Sequence, residues 1–207
     1  MSKQLLIEYS KFEVLPKTLT EVKRLSNGNM IVSGLVQACD KPNANMRIYP
    51  HDILAAQVKK YIDGPIKENR ALGELDHPET SVVNLRNVSH NIVRLWWDEN
   101  DLYGDIEILP TPSGNILKEL FKNNISIGIS SRALGSVSPI GEGLMQVEDD
   151  LDLICWDFVS TPSTYGAYMQ PLKESVNKMA LVYDPYLKIN KLISDIICSQ
   201  AGVCCIK

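Results

Sequence analysis

The sequence predicts an α+β fold dominated by antiparallel strands. Three observations lead there. Apolar, β-branched runs of strand length recur along the chain, two of them meet at a tight polar turn, and only short helical patterns interrupt them.

With 207 residues the chain can bury one main core and carry an appendage. Its net charge of −4, with no dense Lys/Arg stripe, argues against a nucleic-acid partner. No segment has the length and apolarity of a membrane-spanning helix, and Met1–Ile7 does not read as a secretory signal. The cysteines at 39, 155, 198, 204 and 205 form no CxxC pair, so neither zinc nor a disulfide framework is expected. Free thiols in a reducing compartment, no metal and no cofactor are the reading.

Met30 to Ala38 reads as the first clear strand. A polar loop, Cys39 to Pro50, leads to a helix near Asp52 to Ile62. Asp52 is its expected cap, Ile53, Leu54, Val58, Tyr61 and Ile62 form its apolar side, and Asp63-Gly64-Pro65 its stop. Val82 to Trp97 and Leu102 to Leu109 read as a hairpin around Asp98–Asp101. Pro110 to Gly114 breaks the chain before a short helix carrying Ile116, Leu117, Leu120 and Phe121.

Ile125 to Arg132 is the next strand. Alternation puts Ile125, Ile127, Ile129 and Ala133 on a core face, and Ser126, Gly128, Ser130 and Arg132 on the other. That second face is short and rich in donors, which suits the close approach of another group; an ordinary half-buried strand also fits. Gly141-Glu142-Gly143 is a turn. In the strand Leu151 to Val159, Asp157 shares a face with Leu151, Leu153, Cys155 and Val159, and a carboxylate there needs a partner. Residues 1–172 form the main domain. Residues 173–207 form a linker and an amphipathic helix with Ile189, Leu192, Ile193, Ile196 and Ile197 as its stripe.

These segments offer a nucleophile, a base and an orienting acid. The hydroxyl is Ser130, or Ser126 or Ser131. His77 is a loop imidazole, with His51 and His90 as competing bases, and Asp157 is the acid. Main-chain amides at Ser131 and Arg132, with the Arg132 charge, would hold an oxyanion. Position 132 is Arg, so G-x-S-x-G is absent and a nucleophile elbow is not supported. Two other readings are a cysteine hydrolase using Cys155 and a non-catalytic ring-forming β-barrel protein.

Four segments narrow the choice: Asn45-Met46-Arg47-Ile48-Tyr49-Pro50, Ala71-Leu72-Gly73-Glu74-Leu75-Asp76-His77-Pro78, Trp96-Trp97, and Gly128-Ile129-Ser130-Ser131-Arg132-Ala133-Leu134-Gly135-Ser136. In this order they resemble the prohead core (head-maturation) serine proteases of large tailed bacteriophages, over roughly residues 3–172. The resemblance implies a small, mainly antiparallel β-barrel with surrounding helices, distantly similar to the herpesvirus assemblins. It implies an endopeptidase inside the prohead, in the host cytoplasm, that trims scaffold, capsid and other prohead proteins and itself. It maps the family histidine to His77, the nucleophile to Ser130 and the acidic position to Asp157. Ala133 departs from the glycine expected there. Cleavage after Leu or Ile, any residue, then Glu is implied, which makes Glu174 and Glu8 the expected self-cleavage positions. A homo-oligomer is expected as well.

Overall fold

The computed structural model describes residues 4–7, 28–78 and 80–171. The linker and tail helix expected at 173–207 lie outside the described residues, as do Glu8 and Glu174. Among the described residues, an eight-stranded, mostly antiparallel sheet curls into a half-barrel with two helices against it. The expected barrel is thus an open, strongly curled sheet.

The strands of this sheet are β1 (Gln4–Ile7), β2 (Ile31–Ala38), β4 (Leu72–Glu74), β5 (Val88–Asp98), β6 (Asp101–Ile108), β7 (Ile127–Gly135), β10 (Asp152–Val159) and β11 (Tyr168–Pro171). Their order is β1-β7-β11-β2-β6-β5-β4, with β10 also pairing β7. A small second sheet joins β3 (Arg47–Ile48), β9 (Leu144–Val147) and β8 (Val137–Gly141). The curl brings β4 back to β10, where Leu75 bridges Phe158 and the Asp76 N–H donates to the Phe158 carbonyl at 2.7 Å. The ends of β4 and β10 therefore form a seam, and both the His77 loop and Asp157 lie along it.

The hairpin forms where the turn residues predict, with Asp98 opposite Asp101 and Glu99 at φ 51°. Its first strand begins at Val88, not Val82, because residues 80–87 form a loop. The first helix, α1 (His51–Tyr61), starts one residue before the expected one, and Asp52 is not its cap. The Asp40 carboxylate instead accepts from the His51 N–H at 3.0 Å. Asp63-Gly64-Pro65 does not stop the chain's winding; Ile62–Ile66 continues as a π turn with Pro65 inside it. The second helix, α2 (Pro112–Lys122), takes in part of the predicted breaker. Thr111 caps it by accepting from the Gly114 N–H at 3.0 Å, and Pro112 occupies the first turn, where its missing N–H is harmless.

The core lies between the sheet and the helices. Leu54, Val58 and Tyr61 of α1 and Leu117 and Phe121 of α2 are buried against Val36, Ile92, Ile106, Trp156 and Phe158. Each fully buried aliphatic side chain contributes roughly 2 kcal/mol. Tyr61 meets Trp156 edge-on at 5.1 Å and Phe121 meets Phe158 at 5.7 Å, so both helices brace the strand that carries Asp157. Among the described residues no helix is long and apolar enough to cross a membrane.

Candidate active site

Strand β7 is buried on both faces, the face of Gly128, Ser130 and Arg132 included. Ser130 lies directly opposite Asp157 in the antiparallel pairing of β7 with β10. Opposed residues project to the same side, with Cβ atoms about 5 Å apart. The alternation read along β10 needs one correction. A bulge lies between Leu153, opposite Ala133, and Cys155, opposite Arg132. It puts Leu153 on the apolar face and Cys155 and Asp157 on the face of Ser130 and Arg132.

Asp157 is fully buried and saturated with donors. His77 Nδ1 stands 2.8 Å from its Oδ2, and the Glu74 N–H donates to its Oδ1 at 2.9 Å. Arg132 Nη2 donates to Oδ1 at 3.2 Å, and Arg132 Nε lies 2.9 Å from Oδ2. Burial pushes this carboxyl up. The His77 hydrogen bond, the Arg132 charge and the Glu74 N–H together outweigh burial and hold it below the ordinary carboxylate range. An ionised Asp157 keeps the His77 proton on Nδ1 and makes Nε2 the proton acceptor of the ring.

Arg132 takes a different part from the one expected. Its guanidinium is wholly buried and reaches Glu74 Oε1 at 2.9 Å, the Thr80 carbonyl at 2.7 Å and Cys155 Sγ at 3.2 Å, besides Asp157. Its charge is committed to two carboxylates and cannot serve an oxyanion as a free cation.

The other candidates are dispersed. Ser126 is exposed and precedes β7, and Ser131 projects from the opposite face of that strand. His51 starts α1 and packs on Trp97 at 4.8 Å. His90 is buried between Ser89 Oγ, at 2.9 Å, and the Trp156 carbonyl, at 3.0 Å, and burial lowers its pKa to about 4. Burial, then the Asp157 charge, push the Cys155 thiol up, so it stays protonated and is no thiolate nucleophile. Among the described residues no group of three or more His, Cys, Asp or Glu side chains is arranged to hold a metal ion.

Three residues escaped the sequence reading. Ser163 Oγ lies 3.3 Å from Ser130 Oγ. The Pro162 ring covers Gly128, where an added Cβ would fall 2.4 Å from it, so only glycine lets this loop settle over β7. Glu74 is completely buried in the Arg132–Asp157 cluster. Its signal was available: a carboxylate within the apolar run Ala71 to Leu75 poses the same question as Asp157.

An imidazole–carboxylate pair at the seam of a curled sheet is a pairing that hydrolases use to activate a hydroxyl. The model of the prohead core protein serine protease family matches residues 16–177, and the chain belongs to that family. It is 32% identical over 145 residues to the prohead core protein protease of Enterobacteria phage T4, which covers 69% of this chain and 68% of that one. Its fold is similar to the structure of the bacteriophage T4 capsid assembly protease, gp21, with a TM-score of 0.67 and 29% identity over 77% of this chain and 99% of that chain.

Proposed function

We propose that the chain is a serine endopeptidase that cleaves scaffold and capsid proteins inside the prohead, and cleaves itself. The observation that supports this best is the placement of Asp157. It lies opposite Ser130 in the sheet and holds His77 at 2.8 Å, so that hydroxyl, imidazole and carboxylate share one face. In this reading Ser130 Oγ attacks the peptide carbonyl, and His77 takes its proton and returns it to the leaving amine. Asp157 orients the ring and stabilises the imidazolium.

Of the two oxyanion donors expected, the Ser131 N–H fits the sheet better. The Ile129 N–H points away from β10, donating to the Ala167 carbonyl at 2.9 Å. N–H groups alternate between the edges of an antiparallel strand. The Ser131 N–H therefore shares the Ile129 edge, and the Arg132 N–H faces β10. On the Ile129 edge the described part of β1 ends opposite Arg132, and β11 pairs at Gly128.

Self-cleavage after Glu8 draws support from β1, which runs along the same edge of β7. Ile7, the residue before Glu8, lies opposite Arg132, two positions from Ser130. Glu174 lies outside the described residues, three positions beyond β11 and near the end of the family match.

The test is a fluorophosphonate probe with intact-mass spectrometry of the purified full chain. Labelling on Ser130, with shortening at Glu8 or Glu174 that Ser130→Ala abolishes, is expected. Unchanged labelling in Ser130→Ala overturns the serine mechanism. Chains that stay intact while the enzyme cuts other proteins overturn self-processing.

A further inference from the structure

We propose that Glu74 is a positioning residue for the reaction, acting through Arg132 and Asp157; this rests on the serine-peptidase reading above. Glu74 ends β4 at the seam and is fully buried. It makes three connections. Its N–H donates to Asp157 Oδ1 at 2.9 Å, its Oε1 accepts from Arg132 Nη2 at 2.9 Å, and the same oxygen accepts from the Asn84 N–H at 3.0 Å. Packing alone would be met by an apolar side chain here. Removing one partner of such a buried pair leaves the other charge uncompensated.

The use is electrostatic and geometric. Glu74 and Asp157 carry two negative charges against the single positive charge of Arg132, leaving the cluster at −1. When His77 accepts the Ser130 proton, the cluster becomes neutral. Without Glu74 it would start neutral and become positive inside a poorly solvated site, which disfavours the imidazolium. Glu74 also shares Arg132 Nη2 with Asp157, which fixes the guanidinium against both carboxylates and holds Asp157 where it meets His77. Through Asn84, and through Thr80 on Arg132, the pair ties down the loop that follows His77.

The other titratable groups around the His77–Asp157 pair carry no competing buried charge. Burial keeps the Cys155 thiol on β10 and the Tyr61 hydroxyl on α1 protonated, and keeps His90 on β5 neutral near pH 7. Asp76, beside His77, is exposed and screened by water.

The experiment measures the rate of fluorophosphonate labelling against pH for the full-length wild type, Glu74→Gln, the double variant Glu74→Gln/Arg132→Met, and Ser130→Ala. Glu74→Gln is expected to label about threefold or more slowly on its plateau, with the acid limb moved to lower pH by about one unit, because the base has become weaker. The double variant restores the net charge, so its limb returns to the wild-type position while labelling stays slow. A residue that only supports the fold would move neither limb. Should Glu74→Gln not fold, the double variant, which strands no guanidinium, carries the test: a wild-type rate overturns the proposal. A Glu74→Gln profile superimposed on wild type, with Ser130→Ala inert, overturns the role of Glu74 alone. Labelling that survives Ser130→Ala overturns the serine mechanism and this role with it.

Discussion

His90 and Trp156 are joined by a hydrogen bond that no water reaches: His90 Nε2 donates to the Trp156 carbonyl at 3.0 Å. Trp156 precedes Asp157, so this imidazole holds the backbone from which the acid projects. Burial lowers the His90 pKa to about 4, against about 6.5 for an unfolded histidine. Above pH 6.5 both states are neutral and the contribution is fully present. Between pH 6.5 and 4 the unfolded chain binds a proton that the folded one refuses, so stability falls with pH, by about 3 kcal/mol in all. Urea unfolding over that window should show this slope in wild type and a flatter one in His90→Gln.

Asp157→Asn removes the anion behind His77 and leaves Arg132 with one carboxylate. The amide can present its N–H to the ring and favour the wrong tautomer. A loss of about 10³- to 10⁴-fold in kcat, with little change in KM, is expected in a peptide-cleavage assay. A fall in stability on the order of 3 kcal/mol should accompany it, because a buried ion pair has lost a partner.

Gly73→Ala tests the seam. A Cβ at Gly73 would sit 2.1 Å from the Trp156 carbonyl oxygen and 2.4 Å from the His90 ring, and neither is the loose end of a flexible side chain. A destabilisation of about 3 kcal/mol or more is expected by thermal unfolding. Gly64→Ala is the control, with nothing within 4 Å of its Cβ, and should change stability by under about 1 kcal/mol.

Thr111→Ala removes the cap of α2. The hydroxyl both accepts from the Gly114 N–H and donates to the Val88 carbonyl, so the cap also pins the helix to β5. A cost of about 1–2 kcal/mol is expected in chemical denaturation, with Thr111→Ser retaining most of the stability.

The sequence made legible what depends on local pattern. The β2 and β10 segments announce themselves as apolar runs of strand length, β5–β6 by the polar turn between two such runs, and α1 and α2 by their apolar stripes. Failures arise where a distant residue decides. Asp52 looked like a cap until Asp40, eleven residues before His51, supplied the oxygen. Val82 and Val83 looked like strand, yet Val82 stands 74% exposed in a loop held from beneath by Arg132 and Glu74. The candidate site divides in the same way. An acid in an apolar strand and a histidine in a loop drew attention singly, and resemblance joined them to Ser130. The part of Arg132 could not be read, because it depends on which carboxylates the curled sheet folds over it. Glu74 was within reach of the reasoning already applied to Asp157.

The bulge between Leu153 and Cys155 gives β10 an odd step. Ile154 is the extra residue; pair all eight residues without the bulge, Leu153 still opposite Ala133, and every following side chain changes sides. Asp157 would then stand opposite Ile129, in the oily interior, and Trp156 would take its place opposite Ser130. A frame of eight residues thus encodes a phase as well as a surface: a residue inserted between Cys155 and Asp157 should silence the enzyme even where every chemical group survives, whereas deleting Ile154 should leave Asp157 opposite Ser130.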